Sequence, residues 1–267
     1  MRLIQESLDT GPRPARARAG GGLKFPPYTG HLSVVVPVKD ESGNIEPLLR
    51  EIHAALADGP DFEVVYVDDG STDETPQVLA RAAVQYPRLR VLRHHACCGQ
   101  STALATGVRE ARHPWVATLD GDLQNDPADI PRLLQALGRP GGEAGPALVV
   151  GWRTARHDSV VRKLSSRIAN AVRGYLLGDH TPDTGCGLKV FSRDVFLRVP
   201  FFDHMHRFLP ALFLREGVEI SSVPVTHRPR VTGTSKYGIG NRLWVGIVDL
   251  FGVMWLERRM TRPRVER

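Results

Sequence analysis

Five short apolar runs, separated by helical stretches, set the pattern of the chain from residue 32 onward. The runs are 32-LSVVVPV-38, 62-FEVVYV-67, 89-LRVL-92, 115-WVATL-119 and 147-ALVVG-151. They are rich in β-branched residues and lack an alternation of apolar and polar positions, the pattern of strands covered on both faces. Helices are expected over 44–57, 73–84, 101–112 and 128–137, with Ser42 and Ser71 as N-caps and Glu74 three residues beyond Ser71. Strand–helix alternation of this kind predicts an α/β fold with a doubly wound, mostly parallel sheet and flanking helices. The 267 residues, 42% of them hydrophobic and 24% charged, suffice for a sizeable core.

In doubly wound sheets, ligands bind beyond the C-terminal strand ends. The chain places acidic and polar residues at those ends. Pro37, Asp40 and Glu41 follow the first run, and Asp68, Asp69, Gly70 and Ser71 follow the second. Asp120, Asp122 and Gln124 follow the fourth. Asp, Asn and Gly are common at strand ends, which would explain one such cluster. Three clusters on one sheet edge point to a shared crevice. Asp69 also reads as a charge at a helix N-terminus.

The stretch 116-VATLDGDLQNDP-127 has the makings of a metal site. At a strand end, residues two apart point the same way, so Asp120 and Asp122 can share one hard cation, with Gln124 offering a third oxygen. Oxygen ligands suit Mg²⁺ or Mn²⁺, ions that often keep substrate phosphates in their shell. The chain has no G-x-S-x-G elbow, no Walker A loop and no H-E-x-x-H pair. It also lacks a G-x-G-x-x-G turn after the first strand. The acidic VKDE there disfavours phosphate and suits hydrogen bonds to a base or a ribose. The net charge of +6 makes an anion a plausible partner.

Taken in order, VVVPVKDE, VVYVDDGSTDET and TLDGDLQNDP resemble the inverting family 2 glycosyltransferases of the GT-A fold. The later segments 181-TPDTGCGLKVFSRD-194, 206-HRFLPAL-212 and 228-RPRVTGTSKYG-238 are similar to those of the polyprenyl-phosphate glycosyltransferases, the group of dolichol-phosphate mannose synthase and the undecaprenyl-phosphate sugar transferases. The resemblance covers about residues 31–260. It implies a nucleotide sugar donor, a polyprenyl phosphate acceptor, a Mg²⁺ or Mn²⁺ ion and no nucleic acid partner. It further implies that Pro37, Glu41 and Asp68 hold the nucleoside, and that Asp120, Asp122 and Gln124 hold the metal on the diphosphate. Asp122, Asp183 and Arg230 become the candidate catalytic residues. Arg153, Arg162, Ser166, Ser235 and Lys236 match positions used around the phosphates. The expected layout is a basic tail over 1–30, a GT-A domain over 31–226 and a basic loop with a membrane-interfacial segment over 227–267.

The residues themselves support this division of labour. A lipid phosphate oxygen is already ionised at neutral pH and needs no strong base to attack a sugar. The site must instead bring two anions together, which calls for a metal and several Arg or Lys groups. Other readings stand beside these. Asp183, before Thr184 and Gly185, fits a turn equally well. Arg167 fits a solvated helix face as well as a phosphate contact. His94, His95, His204 and His206 read as structural or exposed.

Two segments bear on the membrane. Over 160–178, Val161, Leu164, Ile168, Val172, Tyr175 and Leu176 form one apolar stripe, with Arg162, Lys163, Arg167 and Arg173 elsewhere. That pattern suits an interfacial helix and a core-packed one alike. The segment 243-LWVGIVDLFGVMWL-256 carries two Trp and precedes the basic ERRMTRPRVER, as segments lying against anionic headgroups do. No run reaches the ~20 apolar residues of a membrane span. The stretch MRLIQESLDTGPRPARARAGGG lacks the apolar core of a signal peptide. Cys97, Cys98 and Cys186, odd in number and without metal-ligand spacing, read as reduced thiols. The expected location is therefore the cytoplasmic face of the membrane. Many members of the group continue into transmembrane helices. This leaves open a peripheral enzyme, one that needs a membrane-anchored partner protein, or one with a soluble acceptor. The alternatives are a family 2 transferase acting on a glycan or protein, and a catalytically silent lipid- or nucleotide-binding scaffold. The region of 206-HRFLPAL-212 lacks the QxxRW pattern of processive synthases, which favours transfer of a single sugar.

Overall fold

The computed structural model describes residues 25–138, 145–154, 173–229 and 239–260. One seven-stranded sheet organises them, in the order β3-β2-β1-β4-β6-β5-β7. Its strands are β1 (His31–Val38), β2 (Asp61–Asp68), β3 (Leu89–Arg93), β4 (Trp115–Thr118), β5 (Leu148–Arg153), β6 (Lys189–Ser192) and β7 (Ile220–Val225). All pairs are parallel except those of β6, which runs antiparallel to both β4 and β5. The expected α/β class and mostly parallel sheet are thus observed. The principal helices are α1 (Ile45–Ala55), α2 (Thr75–Gln85), α3 (Gln100–Glu110), α4 (Ile130–Ala136), α5 (Leu209–Arg215) and α6 (Ile239–Arg258).

The unbroken apolar runs have a direct structural cause. In β1, Leu32, Val34, Val36 and Val38 feed the core on one face of the sheet, while Val35 feeds the core on the other. With both faces covered, no position of the strand can be polar without a partner. Each buried Val or Leu adds about 1.5–3 kcal/mol of hydrophobic stabilisation. At the sheet edge the rule relaxes: in β3 only Leu89 is buried, and half-buried positions alternate with exposed ones after it.

Three local expectations need correcting. Ser42 opens a 3₁₀ turn rather than capping α1, whose N-cap is Asn44. Ser71 does not cap α2, whose N-cap is Glu74, because its hydroxyl accepts the Asp40 N–H across the crevice at 2.8 Å. The basic tail is shorter than residues 1–30. Phe25 and Tyr28 pack edge-on against Trp115, with ring centroids 6.1 and 6.2 Å away, and Tyr28 is buried.

The 160–178 helix candidate lies mostly outside the described residues. Residues 173–177 are helical, with Tyr175 exposed, whereas Arg173 is buried and donates to Asp179, Thr181 and Thr184. The C-terminal segment forms α6. Its Val253 is fully buried, and Leu250 and Met254 pack on the core behind α5. No helix among the described residues is long and apolar enough to cross a membrane.

Candidate active site

The strand order reverses between β1 and β4, and the crevice opens where such sheets bind ligands. A cleft of about 300 Å³ lies there, lined by Pro37, Thr118, Leu119 and Asp120 from β1 and β4, and by Gly187 and Lys189 at the start of β6. Gln100 and Leu104 of α3, with His206 and Leu209, complete its wall.

The loops after β1 and β2 are tied to each other. Thr72 donates its backbone N–H to Asp40 at 2.8 Å, and Glu41 donates its own to the Thr75 hydroxyl at 2.9 Å. Asp73 accepts from the N–H groups of Ser42 and Thr75. Asp68 is fully buried; one carboxylate oxygen accepts the Ser71 N–H at 2.9 Å and the other lies 3.1 Å from the Arg93 guanidinium. Of the expected nucleoside residues, Pro37 therefore lines the cleft, Glu41 stands at the β1 loop and Asp68 sits beneath the β2 loop. Gly70 has φ of +66°, and a Cβ there would lie 2.6 Å from the backbone of Ala96, so only glycine fits.

Asp69 braces the start of α3. It accepts the N–H groups of Cys98 and Gly99, each at 2.8 Å, and pairs with His94 at 2.8 Å. The expectation of a helix N-terminal charge thus holds, through α3 rather than α2. Burial alone would raise the Asp69 carboxyl, but these hydrogen bonds hold it below the ordinary range. Asp69, His94 and Cys98 present donor atoms within 4.8 Å of one another. The Asp69 oxygens are nevertheless engaged, and the second His94 nitrogen meets Thr106 at 3.0 Å. The cluster serves the loop first.

The loop after β4 behaves differently. Strand β4 ends at Thr118, and Leu123 adopts φ of +62°. Asp120, Asp122 and Gln124 thus stand on a turn, not on the extended strand end that the spacing suggested. The turn still brings the first two together. Burial, then the Asp122 charge, pushes the Asp120 carboxyl above its ordinary value, opposed by Lys189, Arg153 and the Gln100 amide 2.8 Å away. Asp122 is buried and accepts the Gln124 N–H at 3.2 Å. The Gln124 carbonyl accepts from Arg228, whose side chain reaches Glu51 and Asp126 at 2.8 and 2.6 Å. Two hard carboxylates that repel each other, one of them lining the cleft, fit a divalent cation such as Mg²⁺ or Mn²⁺.

Asp183 and Arg153 pair with each other beside Gly185. The guanidinium grips the buried carboxylate in a two-pronged pair, at 2.6 and 2.9 Å. Sequence reading assigned the two separate roles and did not pair them. It read His206 as structural or exposed, and it passed over Gln100 and Lys189. His206 contacts the Ser101 hydroxyl at 2.7 Å, and burial, then Lys189 and Arg207, push its imidazole down to about 3. For Lys189 a signal existed: it is the one charge inside the apolar 188-LKVF-191. Arg162, Ser166, Arg230, Ser235 and Lys236 lie outside the described residues.

The pattern of the family described as Glycosyl transferase family 2 matches residues 33–199, from β1 through β6, with the acidic loops and Asp183 inside it. The chain belongs to this family. Among family 2 relatives, the dodecaprenyl-phosphate galacturonate synthase of Rhizobium johnstonii is 38% identical over 248 residues, 91% of this chain and 72% of that one. An undecaprenyl-phosphate 4-deoxy-4-formamido-L-arabinose transferase of Edwardsiella ictaluri is 36% identical over 217 residues, 78% of this chain and 63% of its own length. The chain thus spans less than two thirds of the second relative. Among solved structures, glucosyl-3-phosphoglycerate synthase of Mycobacterium tuberculosis, with Mn²⁺, uridine diphosphate and glucosyl-3-phosphoglycerate bound, matches with a TM-score of 0.64 at 19% identity. That match covers 87% of this chain and 81% of the other. It establishes the GT-A fold of this family 2 chain.

Proposed function

We propose that this chain transfers one sugar from a nucleotide sugar to a polyprenyl phosphate at the cytoplasmic membrane face, inverting the anomeric centre and depending on Mg²⁺ or Mn²⁺. The observation that carries the reading is the strained Asp120–Asp122 pair beside the cleft, in a family 2 chain whose relatives named above are polyprenyl-phosphate sugar transferases. Asp120 and Asp122, with Gln124, are the residues to hold the cation. Bound there, the metal supplies positive charge to the donor diphosphate as it leaves.

The remaining roles fall to the protein. Pro37 and Glu41 face the nucleoside, with Asp68 beneath the neighbouring β2 loop on the same side. Asp183 fixes Arg153, and this pair borders the acceptor side. Arg162, Ser166, Arg230, Ser235 and Lys236 supply further phosphate contacts in this reading. No side-chain nucleophile is required, because the acceptor phosphate oxygen attacks and its charge is already in place.

The surface of α6 supports a membrane-bound acceptor. Trp244, Val248, Phe251 and Trp255 are spaced by three or four residues, and Trp244 and Phe251 are 69% and 64% exposed. The exposed Arg258 and Arg259 follow at the end of the helix. An exposed aromatic stripe beside arginines suits an anionic bilayer surface.

The deciding experiment offers a panel of nucleotide sugars to the protein with undecaprenyl phosphate and Mn²⁺, and reads lipid-linked sugar by mass spectrometry. Product with one donor is expected. Transfer only to soluble glycan or protein acceptors would move the chain to another branch of the family. No product with any donor or acceptor would leave a silent scaffold.

A further inference from the structure

The cleft holds a cation that the acidic loops do not explain. Lys189 is only 4% exposed, yet its side chain lines the cleft. The antiparallel pairing of β6 with β4 sets it opposite Thr118, two residues before Asp120. One hydrogen bond of its own and the packing around Gly187 hold it there. Its ammonium donates to the Cys186 carbonyl, and the Thr118 hydroxyl clamps Gly187 through the carbonyl at 2.8 Å. Gly187 itself lies flat against the Asp120 carboxylate, where any side chain would collide. Of the two cations facing Asp120, Arg153 is already gripped at both prongs by Asp183. Lys189 is a compact point charge whose pKa burial pulls below the ordinary lysine value, while the fields of Asp120 and Asp183 act to raise it.

We propose that Lys189 is a positioning residue for the Asp120–Asp122 pair: a resident ammonium that steadies the two carboxylates before a divalent cation arrives and weakens the hold on that cation. The reasoning is electrostatic. Two neighbouring carboxylates, Asp122 buried and Asp120 half-buried, repel each other, and a fixed positive charge nearby offsets part of that repulsion. The same charge repels an arriving dication. Both effects act in one direction, so removing the ammonium must strengthen metal binding. A resident cation of this kind keeps the metal exchangeable.

The proposal rests on the metal reading above, and its test separates the two. Mn²⁺ binding to the full chain without nucleotide, followed at pH 8 by loss of the free-ion electron paramagnetic resonance signal, needs no turnover. Lys189→Met is expected to bind Mn²⁺ about five- to tenfold more tightly than the wild type, as one nearby unit charge allows. Lys189→Arg, which keeps the charge, is expected to stay within about twofold on the same grounds. A residue that merely packs would not tighten the site when removed. Absence of Mn²⁺ binding by the wild type sinks the metal reading and this proposal together. Wild-type binding that Lys189→Met leaves unchanged or weakens sinks this proposal alone. Should Lys189→Met fail to fold, Asp120→Asn is added to it. Recovery of the fold shows the charge coupling, and continued failure assigns Lys189 to the core and overturns the proposal.

Discussion

The β1/β2 loops and the β4 loop use the same residue type for opposite ends. Around β1 and β2, Asp40, Asp69 and Asp73 each accept a hydrogen bond from a backbone N–H of a neighbouring loop, and Asp68 accepts one within its own loop. Their charge is spent inside the protein, and Asp69 and Asp73 sit below the ordinary carboxyl range as a result. Around β4, Asp120 and Asp122 face each other, and burial with that repulsion lifts Asp120 above it. One loop set is tied together by backbone hydrogen bonds; in the other, two like charges stand close together. An acidic cluster is therefore read by where its hydrogen bonds go, not by its composition.

The comparison breaks most cleanly at Asp120. Asp120→Asn is expected to lower kcat/KM about 10³-fold, the scale for losing a key electrostatic contact at a reaction centre. The melting temperature should hold steady or rise, because the change relieves repulsion. A large loss of stability would place Asp120 with the satisfied loops instead.

Asp69→Ala tests the opposite side. It strands two N–H groups at the start of α3 and removes the His94 partner, with an expected cost of about 2–4 kcal/mol in urea unfolding. Equal stability of variant and wild type would show that the brace is ornamental.

His206 sharpens the contrast through pH. Its imidazole titrates near 6.5 when unfolded but is pushed down to about 3 in the folded protein. Between those values the unfolded chain binds an extra proton, so stability must fall as pH drops from about 6.5 toward 3. Asp69 and Asp73, with depressed folded values, add their own loss only as pH falls below the ordinary aspartate value of 3.8. His206→Asn should flatten the urea midpoint across the upper window while leaving the lower one. An unchanged slope above pH 4 would refute the assignment.

The smallest effect is expected at Arg228, which ties the β4 turn to Glu51 and Asp126 in a partly exposed pair. Arg228→Ala should cost about 0.5–1 kcal/mol, as such pairs do. A change in Mn²⁺ affinity beyond that scale would show that the turn is held in place from outside.

The sheet and the crevice were legible because buried strands leave an unmistakable run of β-branched residues, and because ligands gather at strand ends. VVVPV, VVYV and WVATL sit where expected, and Asp120 and Asp122 meet at the cleft. The errors share a cause. Ser42 and Ser71 have capping chemistry, but Ser71 found a better partner in a loop 31 residues away. Arg173 falls outside the apolar stripe of its helical stretch, yet it is buried and donates to Asp179, Thr181 and Thr184.

Local sequence by itself determined the strands, the acidic loops and the family, since each is written in adjacent residues. Tertiary structure alone decided which charges are spent and which remain. It set Lys189 opposite Thr118 through the reversed strand β6, and it closed Arg153 on Asp183 across 30 residues. The state of a charge depends on its neighbours in space and on the water they exclude, and neither is recorded in the order of the chain.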